Sequence, residues 1–184
     1  NFSTATQLIV VLDTTSPVIG TTCYSSTSAA TQIHTMANGG LLMYGTASGV
    51  TSTRVSVTFP APFDSIPAVF ADIITHDDPE TVVPRITNIT TTGFQIRVQE
   101  EEVRNAHLAE SIAWVAMEEG SVTSGSKLEV RPIGNVTHAW SSFTHQQSYS
   151  NPITIIDMQR ENGGDPCALR FRPTGNGSEL EVVV

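Results

Sequence analysis

Across residues 54–120, short runs of β-branched and aromatic residues recur about every 8–12 positions, each stopped by proline, glycine or polar turn formers. Arg54-Val-Ser-Val-Thr-Phe59 alternates polar and apolar positions, the period of a half-buried strand. Pro60 and Pro62 end it, because proline has no N–H to give a sheet ladder. Residues 68–74 are a largely apolar run with the length of a central strand. Residues 82–86 return, Thr92-Gly93 turns the chain into residues 94–99, and residues 112–117 close the set. Phe63 and Ile66 are expected to plug the end of the layers. Nothing has the 3.6-residue period of a helix. The expected fold is all-β, made of antiparallel β-sandwich modules of about six strands each.

The rest of the chain repeats this pattern incompletely. Leu128-Glu-Val130, Trp140-Ser-Ser-Phe143, Asn151-Pro152, and residues 153–158, 168–172 and 180–184 follow one another as the strands of the first set do. Nothing then corresponds to residues 100–117, and residues 1–36, with the apolar run at 8–12, resemble a divergent version of that missing tail. The expected organisation is therefore a tail segment at 1–36, a complete sandwich at 37–122 and a second sandwich at 123–184 lacking its last strand. Such complementary ends can be satisfied within the chain, by a neighbouring copy through strand complementation, or in a longer array.

Composition limits the partners. Hydrophobic residues make up 39% of the 184 and charged residues only 15%, which places the chain among globular proteins rather than disordered ones. The net charge of -9 provides no basic footprint for nucleic acid or anionic lipid. No apolar run reaches the roughly 18 residues of a membrane-inserted helix.

Asn-x-Ser/Thr glycosylation sequons stand at Asn1, Asn88, Asn135 and Asn176. Three of them precede a strand-like run in the same way, at spacings of 87 and 88 residues. The same placement also suits asparagine-rich turns. Glycosylated turns imply an extracellular or cell-surface location, where Cys23 and Cys167 are expected to form a disulfide, within or between chains.

The features Val57-Thr-Phe59, Phe63, Pro67, the apolar strand followed by Asp77, Arg85, Thr92-Gly93-Phe94 and Ile112-Ala-Trp114-Val-Ala-Met-Glu118 together resemble the H-type lectin domain of snail agglutinins and discoidin-type proteins. That resemblance implies a six-stranded antiparallel sandwich that binds galactose-type sugars near subunit contacts, without catalysis. Where the family places an aromatic–histidine pair after the Gly-Phe strand, this chain has Glu101 and Glu102. Where the family has a sugar-contacting arginine ahead of the Arg85 position, this chain has Thr81 or a neighbour.

Other candidate chemistry is sparse. Glu100, Glu101, Glu102, His107 and Glu110 could ligate a divalent metal or simply form a solvated loop. Asp77, Asp78 and Glu80 could chelate calcium or form an acidic hairpin tip. His138 and His145 flank Trp140 and Phe143, which with Arg85 make the candidate carbohydrate-binding set, although a strand tryptophan is commonly core. No nucleophile elbow, phosphate loop or Cys/His metal spacing occurs. The expected function is non-enzymatic and needs no cofactor: a secreted glycoprotein of lectin-like repeats that associates with copies of itself in a surface layer, matrix or filament. The second reading is a lectin with a relocated sugar site, whose partners are glycans.

Overall fold

The computed structural model describes residues 5–13, 32–36, 38–100, 107–123, 127–150, 152–161, 163–174 and 177–183, and among them every regular element is a strand. In chain order these are β1 (Ala5–Asp13), β2 (Gln32–Thr35), β3 (Leu41–Val50), β4 (Val55–Thr58), β5 (Ala68–Ile73), β6 (Val82–Thr87) and β7 (Gly93–Glu100). Then come β8 (Glu110–Met117), β9 (Gly120–Val122), β10 (Leu128–Val136), β11 (Ser141–Thr144), β12 (Pro152–Met158), β13 (Ala168–Pro173) and β14 (Gly177–Val183). They form four sheets with the orders β2-β3-β8-β5, β4-β7-β6, β12-β1-β10-β9 and β11-β14-β13. Every pairing is antiparallel. The chain is an all-β protein of β-sandwich type.

Alternation along the strands decides which side chains meet. In β7, Phe94, Ile96 and Val98 are buried, and in β8 Ile112, Trp114 and Ala116, as period two requires of strands with one face inward. These six pack with Met43, Val50, Val69 and Ile86 into one core between β2-β3-β8-β5 and β4-β7-β6. Its centre is aromatic. Phe59 lies 4.9 Å from Phe63 edge-on, 5.7 Å from Phe94 and 5.8 Å from Trp114, measured between ring centroids. Phe63 thus closes the core as expected, but Ile66 is 58% exposed and takes no part in the plug. Between Ala47 and Val50 the β3–β8 register slips in a bulge at Gly49, whose φ of 73° is a left-handed conformation that suits glycine.

A smaller core, Val136 with Ile133, Phe143, Tyr149 and Ile156, lies between strands of the other two sheets. A third cluster joins the two halves: Ala68, Phe70, Val115 and Met117 from the outer face of the first sandwich pack against Leu128 and Val130 of β10.

Candidate functional site

The β5 edge is where the halves meet, and three side chains spaced two residues apart control it. An extended chain puts residues i, i+2 and i+4 on one side, so Asp157, at the end of β12, and Gln159 and Glu161 beyond it all face the first sandwich. The Gln159 side-chain amide accepts from Val69 N at 2.8 Å and donates to Val69 O at 2.6 Å, so it pairs with β5 as a neighbouring strand would. Asp157 Oδ2 accepts from Ala71 N at 2.9 Å, and Oδ1 from its neighbour Met158 N at 2.7 Å. Glu161 binds Arg97 through both its oxygens and Arg54 Nη2 at 2.6 Å. Gln99 Nε2 adds a bond to Gly164 O at 2.5 Å.

Electrostatics differ between the two acids. Burial pushes the Asp157 carboxyl up to about 7; Asp72 pushes the same way, while the Ala71 and Met158 amides and the Arg85 charge pull it down. Burial also raises Glu161, but the hydrogen bond and charge of Arg97, with Arg54 and Arg85, outweigh it and hold Glu161 below the usual carboxylate range. Beside Asp157 lies a cavity of about 460 Å³, lined mainly by apolar groups such as Phe70, Trp114, Ile155 and Leu169, with Asp72 and Cys167 on its wall. A second cleft, of about 490 Å³, is bordered by Thr87, Asn88, Glu119, Arg160 and Glu161.

The residues singled out in the sequence are scattered. Arg85, 3% exposed, donates to Cys167 Sγ at 3.2 Å and Met158 Sδ at 3.7 Å, which makes it part of the junction. Trp140 is 37% exposed, with Arg172 stacked 4.2 Å over its ring, so it is not core. His138 is exposed. His145 is buried edge-on against Phe143 and Tyr149, near Glu129 and Arg131, and neither ring nitrogen has a hydrogen-bond partner among the described residues. Burial holds its pKa below the usual histidine value, with the Glu129 charge opposing this and that of Arg131 adding to it.

Glu110 and Asp78 of the first sandwich have structural partners, whereas Glu100, 7% exposed, has none for its Oε2 among the described residues. Glu110, 2% exposed, accepts from the Thr75 hydroxyl and from Asp77 N at 3.1 Å, and Asp78 Oδ2 accepts from Leu108 N at 2.9 Å. His107 contacts the carbonyls of Leu108 at 2.8 Å and Glu80 at 3.4 Å. These bonds tie the loop after β5 to the start of β8. Among the described residues no three His, Cys, Asp or Glu side chains are grouped to hold a metal. Glu101 and Glu102 lie outside the described residues, as do Asn1, Asn176 and Cys23; Asn135 is placed in β10 by its backbone. Cys167 is a free thiol in the structure. Asn88 is exposed, with a φ of 51°, and its Nδ2 donates to Gln95 Oε1 at 2.7 Å.

Sequence reasoning missed Asp157, Gln159 and Glu161. The available signal was three polar residues at period two directly after the mainly apolar Ile153–Ile156 segment, continuing past the end of β12.

Two comparisons with known proteins bear on the chain. In an alignment 148 residues long the chain is 28% identical to Halomucin of Haloquadratum walsbyi (strain DSM 16790 / HBSQ001); the match takes in 73% of this chain and 2% of that far longer protein. No solved structure matches. Residues 54–117, which carry β4 to β8, match the H-type lectin domain, so this part of the chain is similar to that domain.

Proposed function

We propose that the chain is a non-enzymatic, lectin-type building block of an extracellular assembly. The observation that carries this reading is the junction. Gln159, Asp157 and Glu161 tie one sandwich to the edge of the other through backbone amides and a paired-arginine clamp, the construction of a stiff link. A sandwich edge sealed in this way is withdrawn from indiscriminate pairing, while the outer surfaces stay available to partners. The relative's name marks a mucin, and its great length fits a protein in which such units serve as links. The exposed sequon at Asn88 supports glycosylation there.

The test is sedimentation of the purified chain over a range of concentrations, with and without free galactose-type sugars. Assemblies that grow with concentration and ignore sugar support the reading, whereas a monomer at every concentration overturns it.

A second reading, carbohydrate binding, is favoured by the H-type lectin match and by the exposed Trp140 ring. A sugar using that face would have to displace Arg172. Glycan-array binding lost in Trp140→Ala would support it, and an array without binding would remove it.

A further inference from the structure

The two halves follow one strand plan. From the outer edge, one four-stranded sheet runs β2-β3-β8-β5 and the other β9-β10-β1-β12; the three-stranded sheets run β4-β7-β6 and β11-β14-β13. Replacing β2 through β7 by β9 through β14, in chain order, turns the first plan into the second. One strand breaks the correspondence. The inner place between β3 and β5 belongs to β8, which follows β7 in the chain. The inner place between β10 and β12 belongs to β1, from the opposite end of the sequence.

We propose that the gap between β10 and β12 is a strand-acceptor site, filled by β1 of the same chain or by β1 of a second copy, so that copies link by exchanging N-terminal strands. This rests on the assembly reading above and names its partner. Residues Leu8 to Leu12 are registered on both sides, against Pro132 to Leu128 of β10 and Asp157 to Ile153 of β12. Five consecutive apolar residues are the pattern of a strand covered on both faces. Without β1, the facing sides of β10 and β12 would each present a row of unpaired N–H and C=O groups, so the site does not stay empty.

Contacts in cis and in trans are the same, so effective concentration and linker reach choose between them. Residues 14–31 connect β1 to β2. A stretch of that length reaches up to roughly 60 Å, well beyond the ~10 Å between packed sheets, and so it permits either route.

The test uses the full chain with Cys23→Ser and Cys167→Ser, and the registered pair Val10 and Ile155, the latter 49% exposed and open to oxidant. The double variant V10C/I155C reports closure in cis. An equimolar mixture of the V10C and I155C single variants, unfolded together and refolded at increasing concentration, reports exchange. The proposal expects an intrachain disulfide in the double variant, and in the mixture a disulfide-linked heterodimer whose share rises with concentration. Closure in cis with a mixture that stays monomeric overturns exchange, and a double variant that forms no bond overturns the acceptor site itself. Assembly seen by sedimentation without this cross-link overturns strand exchange while leaving the building-block reading intact.

Discussion

At the scale of single residues, the turn into β7 shows how one atom can decide a strand. Gly93 is registered against Thr58, and a Cβ built on it would lie 2.2 Å from the Val57 carbonyl oxygen, a backbone atom that cannot swing aside. Gly93→Ala must therefore separate β4 from β7, and the expected cost is about 2–4 kcal/mol in denaturant unfolding. Gly134→Ala is the control. Nothing lies within 4 Å of its added Cβ, and its effect should stay within about 0.5 kcal/mol. A Gly93→Ala chain as stable as the unaltered protein would show that the two strands do not approach as described. Thr92-Gly93-Phe94 was readable in the sequence as a turn, but the reason for glycine was not, because the clashing carbonyl belongs to another strand.

At the scale of elements, β5 shows a sheet edge closed by side chains. The Gln159 amide supplies one donor and one acceptor to Val69, and Gln159 is only 6% exposed, so water cannot readily replace either bond. Gln159→Glu keeps the shape and the acceptor but sets a carboxylate against the Val69 carbonyl. Leaving that acceptor unsatisfied, with a charge facing it, should cost about 1–3 kcal/mol. Amide exchange at Val69 should quicken at the same time, and exchange unchanged in the variant would refute the edge-sealing role. The strands themselves were legible because alternation is a local property: β4, β7 and β8 follow from the spacing of Val55, Val57, Phe94, Ile96, Ile112 and Trp114. The junction was not. Arg85 reads as a strand-borne cation suited to a ligand, and Trp140 as part of a sugar platform with core as the alternative, because neither sequence position reveals which sheet lies opposite. Ile66 misled for a related reason: an apolar residue beside Phe63 need not share its face, and only Phe63 turns inward.

At the scale of the whole molecule, the junction brings together two carboxylates of opposite tendency, and this makes its stability depend on pH in a way that can be worked out. Asp157 has a folded pKa of about 7 against an ordinary value of 3.8, so between those values the folded state holds a proton that the unfolded chain has released. Its contribution is fully present below about 3.8 and is lost as pH rises towards 7, a swing on the order of 2–4 kcal/mol. Glu161 runs the other way. Its pKa is depressed below 4.5, so its contribution is present above that value and lost as pH falls through the folded pKa. Asp72 on β5 and Arg85 on β6 face Asp157 with opposite charges, and the Arg85 charge also bears on Glu161. Asp157→Asn abolishes the titration while keeping a side-chain oxygen for Ala71 N. Denaturant unfolding between pH 4 and 8 should therefore show the unaltered chain losing stability up to about pH 7. The variant should lack that loss and keep only the opposite, rising trend that the depressed His145 adds as pH passes the ordinary histidine value. Parallel curves for the two proteins would mean that Asp157 is ionised throughout, and that the halves are held together equally well in neutral and mildly acidic surroundings.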